Sequence, residues 1–236
     1  MGLGGALILT ALMMQLLVRS DRDAIRPYAN ALSANERALV ALHAPLLPKC
    51  TRLTEALKQR SEADEMVIAN AIAEYAMKLN GRLKRELAEV IALALLDAAR
   101  RNGIDPFLLA AVVARESSFR PEARSPSGAI GLAQLMPQTA TMLGVVDPYD
   151  IAQNLDGAAR YIGMLMQLWH DRDDLIEMAL ASYRLGPKLI QLRLGIPNVA
   201  NITSYLSDIL DHYNALHSLV AWETQQRYGA NESEGR

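Results

Sequence analysis

The chain has 236 residues, with 24 Lys and Arg against 26 Asp and Glu for a formal charge of -2, and it is 51% apolar but only 5% aromatic. That length holds one ordinary domain with an added helical segment or tail, and the aliphatic composition favours helices over a sandwich or barrel. The near-neutral charge provides no positive field for nucleic acid, and the single cysteine, Cys50, excludes an intrachain disulfide.

The four histidines, His43, His170, His212 and His217, are scattered, and with Cys50 they make no metal-ligand spacing, so neither metal nor cofactor is expected. Residues 1–18 carry no charged side chain and are close to the minimum length for a membrane-crossing helix. They lack the basic start and small-residue site of a cleaved signal, which favours an uncleaved anchor; a buried N-terminal helix is the alternative. Arg19, Arg22 and Arg26 follow the apolar run and nothing basic precedes it, an asymmetry that opposes export. Cys50 follows Leu47-Pro48-Lys49, where a lipid attachment site would carry small residues.

From 22 to about 101 apolar residues such as Val67, Ile68, Ile72, Tyr75, Ala76 and Leu79 recur at helical spacing, which predicts two or three amphipathic helices. Pro45 and Pro48 interrupt the first, and Asn80-Gly81 and Asn102-Gly103 have the composition of helix C-caps. The default role of this segment is packing or contact with a protein partner. Asp105-Pro106 is an N-cap followed by proline at the first helical position, so a helix starts there and ends near Ser118. Residues 120–131 read as a structured loop, and Pro137 opens a short helix that stops at Gly144. Later starts fit Asp147-Pro148, Asn154, Asp173, Pro187 and Thr203, giving a compact all-α domain.

Glu116 lies four residues after Val112 and seven after Leu109, on the apolar stripe of the helix that begins at Pro106. Burial there raises a carboxyl pKa, and an acid protonated near neutrality can donate to a departing sugar oxygen. The ordinary alternative is an ion pair with Arg115, Arg120 or Arg124.

Three segments follow in order: Glu116-Ser117-Ser118-Phe119, then Arg124-Ser125-Pro126-Ser127-Gly128-Ala129, then Gly131-Leu132-Ala133-Gln134-Leu135-Met136-Pro137. A second cluster comprises Ala179-Leu180-Ala181-Ser182-Tyr183-Arg184-Leu185-Gly186-Pro187, Ile196-Pro197 and Thr203-Ser204-Tyr205-Leu206. From about Gly103 to Leu206 this series resembles the lytic transglycosylases of the lysozyme-like superfamily. The resemblance implies a lysozyme-like catalytic domain over 102–215. It follows a membrane anchor or signal over 1–20 and a helical segment over 21–101, and the end of the C-terminal helix with a polar tail occupies 216–236. It implies Glu116 as the one catalytic residue, acid and then base. Ser125, Gln134, Met136, Tyr183 and Tyr205 would hold sugar, with the Tyr183 hydroxyl toward the reaction centre and Tyr205 on the opposite cleft wall. Glycines of the loop would let backbone approach the glycan.

Two positions depart from the family pattern: Ala133 stands where methionine is usual after Gly-Leu, and Arg184-Leu185 where Asn-Ala is usual after the tyrosine. The implied reaction is non-hydrolytic cleavage of the bond between N-acetylmuramic acid and N-acetylglucosamine in peptidoglycan, giving a 1,6-anhydro product. Its place is the periplasmic side of the inner membrane, or a virion. The alternatives are a hydrolytic lysozyme on the same scaffold, a glycan-binding or assembly module with impaired catalysis, and a membrane-anchored interaction protein.

Overall fold

The computed structural model describes residues 47–193, 195–197 and 200–228. The membrane element expected at 1–18, Pro45, His43, the side chain of Cys50 and the end of the polar tail lie outside the described residues. The chain divides into two compact units, residues 1–63 and 64–236. In the first, the described residues 47–63 are helical; the second holds the rest of the described chain, Glu116 included.

Among the described residues there are eight helices: α1 Leu47–Leu79, α2 Arg85–Asn102, α3 Pro106–Ser117, α4 Pro137–Met142, α5 Ile151–Leu168, α6 Leu175–Leu185, α7 Pro187–Leu192 and α8 Ala200–Tyr228. None is long and apolar enough to cross a membrane. Pro48, where the sequence places a break, sits in the first turn of α1 as described, where its missing N–H interrupts no helical bond.

Local rules fix several boundaries. α2 ends as its C-cap composition requires: Gly103 adopts φ 64 and its N–H bonds back to the last carbonyls of the helix. Asp105 accepts a 2.7 Å hydrogen bond from the Phe107 N–H and so caps α3, while Pro106 occupies the first turn. α5 starts one turn away from both expected positions, because Asp150 accepts from the Gln153 N–H at 2.8 Å and takes the capping role. Asp147-Pro148 forms a turn in which the Asp147 carboxylate accepts from the Tyr149 N–H. Asn154 is inside α5 and buried. α6 starts after Asp174, one residue beyond Asp173, and α8 starts at Ala200 rather than at Thr203.

α3 is the centre of the second unit. All eight residues from Phe107 to Ala114 are buried, so this helix is apolar around its whole circumference and must be enclosed. α8 and α2 pack on it, α5 covers α2, and α6 bridges α5, α7 and α8. α2 presents Ala88, Ile91, Ala92, Leu95, Ala98 and Ala99 to the core at three- and four-residue spacing. α1 adds Ala69, Ile72, Ala73 and Ala76 to the same cluster. The alanines let helix backbones approach closely, and Glu116 stands in the last turn of α3, at the edge of this core.

Candidate active site

Glu116 occupies the last turn of α3, above the fully buried Val112 and Leu109. Its side chain is 7% exposed. The Tyr205 hydroxyl of α8 donates to Oε1 at 2.8 Å, and Nη1 of Arg184 on α6 stands 4.0 Å from Oε2. Burial raises the Glu116 pKa; the Tyr205 hydrogen bond and the Arg184 and Arg115 cations pull against that rise without cancelling it. Among the described residues, the groups acting on it are Tyr205, Arg184 and Arg115, and none is a second carboxyl.

The arginine partners differ from the ordinary alternative. Arg115 turns to Asp208 of α8, with Nε 2.8 Å from Oδ2, and its guanidinium also lies over the Tyr205 ring at 5.4 Å from the centroid. Arg120, beyond the end of α3, donates from Nε to the Ser117 carbonyl and so closes the end of that helix. Arg184 lies 5.6 Å from the centroid of the same Tyr205 ring. Tyr205 is therefore both the hydrogen-bond donor to the acid and the aromatic surface that the two flanking cations share.

Immediately beyond Glu116 the backbone turns sharply, with Ser118 at φ 52 and Phe119 at φ 56. Two consecutive non-glycine residues in the left-handed region cost on the order of 1–3 kcal/mol each. Phe119 is fully buried, and the anchoring of its ring maintains the turn that aims the following loop back across the helix end.

That loop is held by backbone bridges between Arg124 and Ile130 and between Ile130 and Leu135. Its organiser is Asn154. The Oδ1 atom of this buried side chain accepts from the Ala133 N–H at 2.8 Å, while Nδ2 donates to the carbonyls of Ile130 at 3.1 Å and Pro148 at 2.8 Å. Gly131, at φ 80, is required for this contact: a Cβ there would lie 2.3 Å from the Pro148 oxygen and 2.4 Å from Asn154 Nδ2. The loop glycines were expected to make room for sugar; at Gly131 the close approach is made by the protein's own Pro148 and Asn154.

The expected sugar-holding residues fall into two groups. Tyr183 and Tyr205 converge on Glu116, whereas Ser125, Gln134 and Met136 lie along the loop. Tyr205, expected on the opposite cleft wall, is fully buried, with its hydroxyl on the acid. The Tyr183 hydroxyl donates to the Ala133 carbonyl at 2.7 Å, its ring packs on Tyr161, and burial next to the Glu116 charge pushes its pKa well up. Ser125 closes the loop, its Oγ accepting from the Ala129 N–H and pairing with Ser127 at 2.9 Å. Gln134, at φ 52, donates from Nε2 to the Ala123 and Gly131 carbonyls. Met136 is 38% exposed at the start of α4. Ala133, read as a change in wall volume, is fully buried, and it is its backbone that matters, clamped by Asn154 on one side and Tyr183 on the other.

Residues 94–206 match the family described as the Transglycosylase SLT domain. The chain is 40% identical over 145 residues to membrane-bound lytic murein transglycosylase F 1 of Alkalilimnicola ehrlichii, covering 56% of this chain and 28% of that protein. It is 36% identical over 119 residues to the transglycosylase of Enterobacteria phage PRD1, covering 50% of this chain and 41% of the relative. Over 92 residues it is 40% identical to membrane-bound lytic murein transglycosylase F of Desulfosudis oleivorans, which covers 38% of this chain and 20% of that protein. In each case the chain spans less than half of the relative's length.

Proposed function

We propose, from the match of residues 94–206 to the Transglycosylase SLT domain and from the site's geometry, that the protein cleaves peptidoglycan between N-acetylmuramic acid and N-acetylglucosamine without water, with Glu116 as acid and then base. The observation that carries this reading is the Glu116 carboxyl, 7% exposed and held above its ordinary pKa, with no second carboxyl among the described residues that act on it. Two-carboxylate hydrolysis needs a partner that activates water or attacks carbon. A single acid suits an intramolecular displacement instead.

In that reaction Glu116 gives its proton to the glycosidic oxygen as the bond from the anomeric carbon breaks, and the substrate's acetamido group supports the developing positive charge. The carboxylate left on Glu116 then takes the proton of the muramic acid 6-hydroxyl, whose oxygen closes onto the anomeric carbon. Tyr205 holds the carboxyl in place. Tyr183 acts through the backbone of Ala133, and Ser125, Gln134 and Met136 are the loop positions that meet the strand.

With that substrate the domain works in the cell envelope, on the periplasmic side, or on a virion. Membrane association through residues 1–18 and a protein partner for 22–101 belong to the same reading. The Arg184 cation, 4.0 Å from Oε2, favours one alternative, a glycan-binding module with a weakened acid. Mass spectrometry of the fragments released from sacculi tests the assignment: anhydro ends are expected. Reducing ends one water heavier would indicate a lysozyme, and binding without fragments would indicate the impaired module.

A further inference from the structure

Arg184 is a large cation at the mouth of the site, and the protein leaves it uncommitted. Its side chain is 52% exposed, and among the described residues its ion-pair neighbour is Glu116, at a separation beyond hydrogen-bond reach. That neighbour is a carboxyl which burial keeps in its uncharged form further up the pH scale than usual. The remaining contact of Arg184 is the face of the Tyr205 ring, 5.6 Å from the guanidinium carbon, which fixes the plane of the head without using its N–H donors. Arg115 offers a contrast, since Asp208 already holds it.

From this geometry we infer that Arg184 is a specificity-determining residue, a receptor for a carboxylate carried by the glycan strand next to the bond that breaks. The guanidinium fork matches a carboxylate in two parallel hydrogen bonds, and its half-exposed position lets the anion arrive from solvent. Docking of an anion there has a second consequence. Arg184 stabilises the ionised form of Glu116 and so opposes the acid; a carboxylate seated on the guanidinium offsets that field and leaves Glu116 a better proton donor. The other groups facing Glu116 are unchanged by this event: the Tyr205 hydroxyl on α8, and Arg115 on α3, which is paired to Asp208. A substrate carrying the carboxylate is therefore favoured in turnover as well as in binding. Two sources have this chemistry, the lactyl carboxylate of muramic acid stripped of its peptide and the carboxylates of an attached stem peptide.

The inference rests on the glycan-cleaving role proposed for Glu116, so its test has a binding arm that is independent of turnover. Stem-free glycan strands with free lactyl carboxylates are compared with the same strands converted to neutral methylamides, and with intact sacculi. The parent is expected to cleave the charged strands about tenfold better than the capped ones in kcat/KM, with part of the difference in kcat. Arg184→Asn should reduce that ratio to about one, and Arg184→Lys should restore part of it. In the arm without catalysis, calorimetry with Glu116→Gln should show the same preference for charged strands, lost when Arg184→Asn is added. If sacculi rather than stem-free strands show the Arg184 dependence, the stem peptide is the source. Equal handling of charged and capped strands by the parent together with no Arg184 dependence on sacculi, or a preference that survives in Arg184→Asn, overturns the inference. Loss of all turnover by the parent with the binding preference intact would instead remove the proposed activity and leave the receptor standing.

Discussion

Tyr205 donates its hydroxyl proton to Oε1 of Glu116 at 2.8 Å across 89 positions of sequence, joining α8 to the end of α3 at the candidate acid. This bond favours the carboxylate, opposing the burial that favours the neutral acid, so it holds the group in place while limiting how far its pKa rises. Tyr205→Phe keeps the ring and deletes the bond. Because activity requires the protonated acid and is lost as pH rises through its pKa, the alkaline limb of the pH–rate profile should move upward in this variant. Loss of orientation should lower kcat about tenfold. An alkaline limb that moves downward would contradict this.

The same carboxyl ties stability to pH. Its folded pKa is above the ordinary value of 4.5, so its contribution favours folding most below 4.5 and is lost as pH rises through the folded pKa. Glu116→Gln has no proton to lose. Thermal unfolding followed by circular dichroism should give this variant a higher Tm than the parent at pH 7, with the gap closing as pH falls below 4.5. A gap that widens in acid would reverse the sign of the pKa shift.

Asn154→Ala removes three hydrogen bonds at once and strips the Ala133 N–H and the Pro148 carbonyl of their Asn154 partner, while the Ile130 carbonyl keeps the Leu135 N–H. A loss of about 3 kcal/mol is expected in urea unfolding, since a buried polar group left unpaired costs about 1–3 kcal/mol. Asn154→Asp should not rescue it, because the carboxylate cannot donate to either carbonyl.

Gly131→Ala tests the close approach from the other side. The new methyl would lie 2.3 Å from the Pro148 oxygen on a backbone at φ 80, so both sterics and conformation oppose it. Gly128, at φ 92, has open space around it, and Gly128→Ala should meet only the conformational term. Unfolding midpoints should therefore fall further for position 131 than for position 128.

What the sequence made legible was local. Asp105-Pro106 and Asn102-Gly103 mark helix ends through bonds that span at most four residues, and the spacing of Leu109, Val112 and Glu116 places the acid on the buried face. Contacts between distant segments had no such signature. Asn154 has the composition of a helix start, yet its partners are 6 to 24 residues away and it sits inside α5. Tyr205 could be assigned to the site by resemblance, but not to the carboxyl itself. Arg115 and Asp208 are 93 positions apart, and only the packing of α8 on α3 pairs them.

The most direct measurement is the release of soluble muropeptides from purified sacculi by the parent and by Glu116→Gln, with both proteins shown to be folded. Release by the parent is expected, with only background from the variant, whose side chain keeps the shape of the acid but carries no proton to give. Equal release by the two would show that the buried carboxyl at the end of α3 does not drive the reaction.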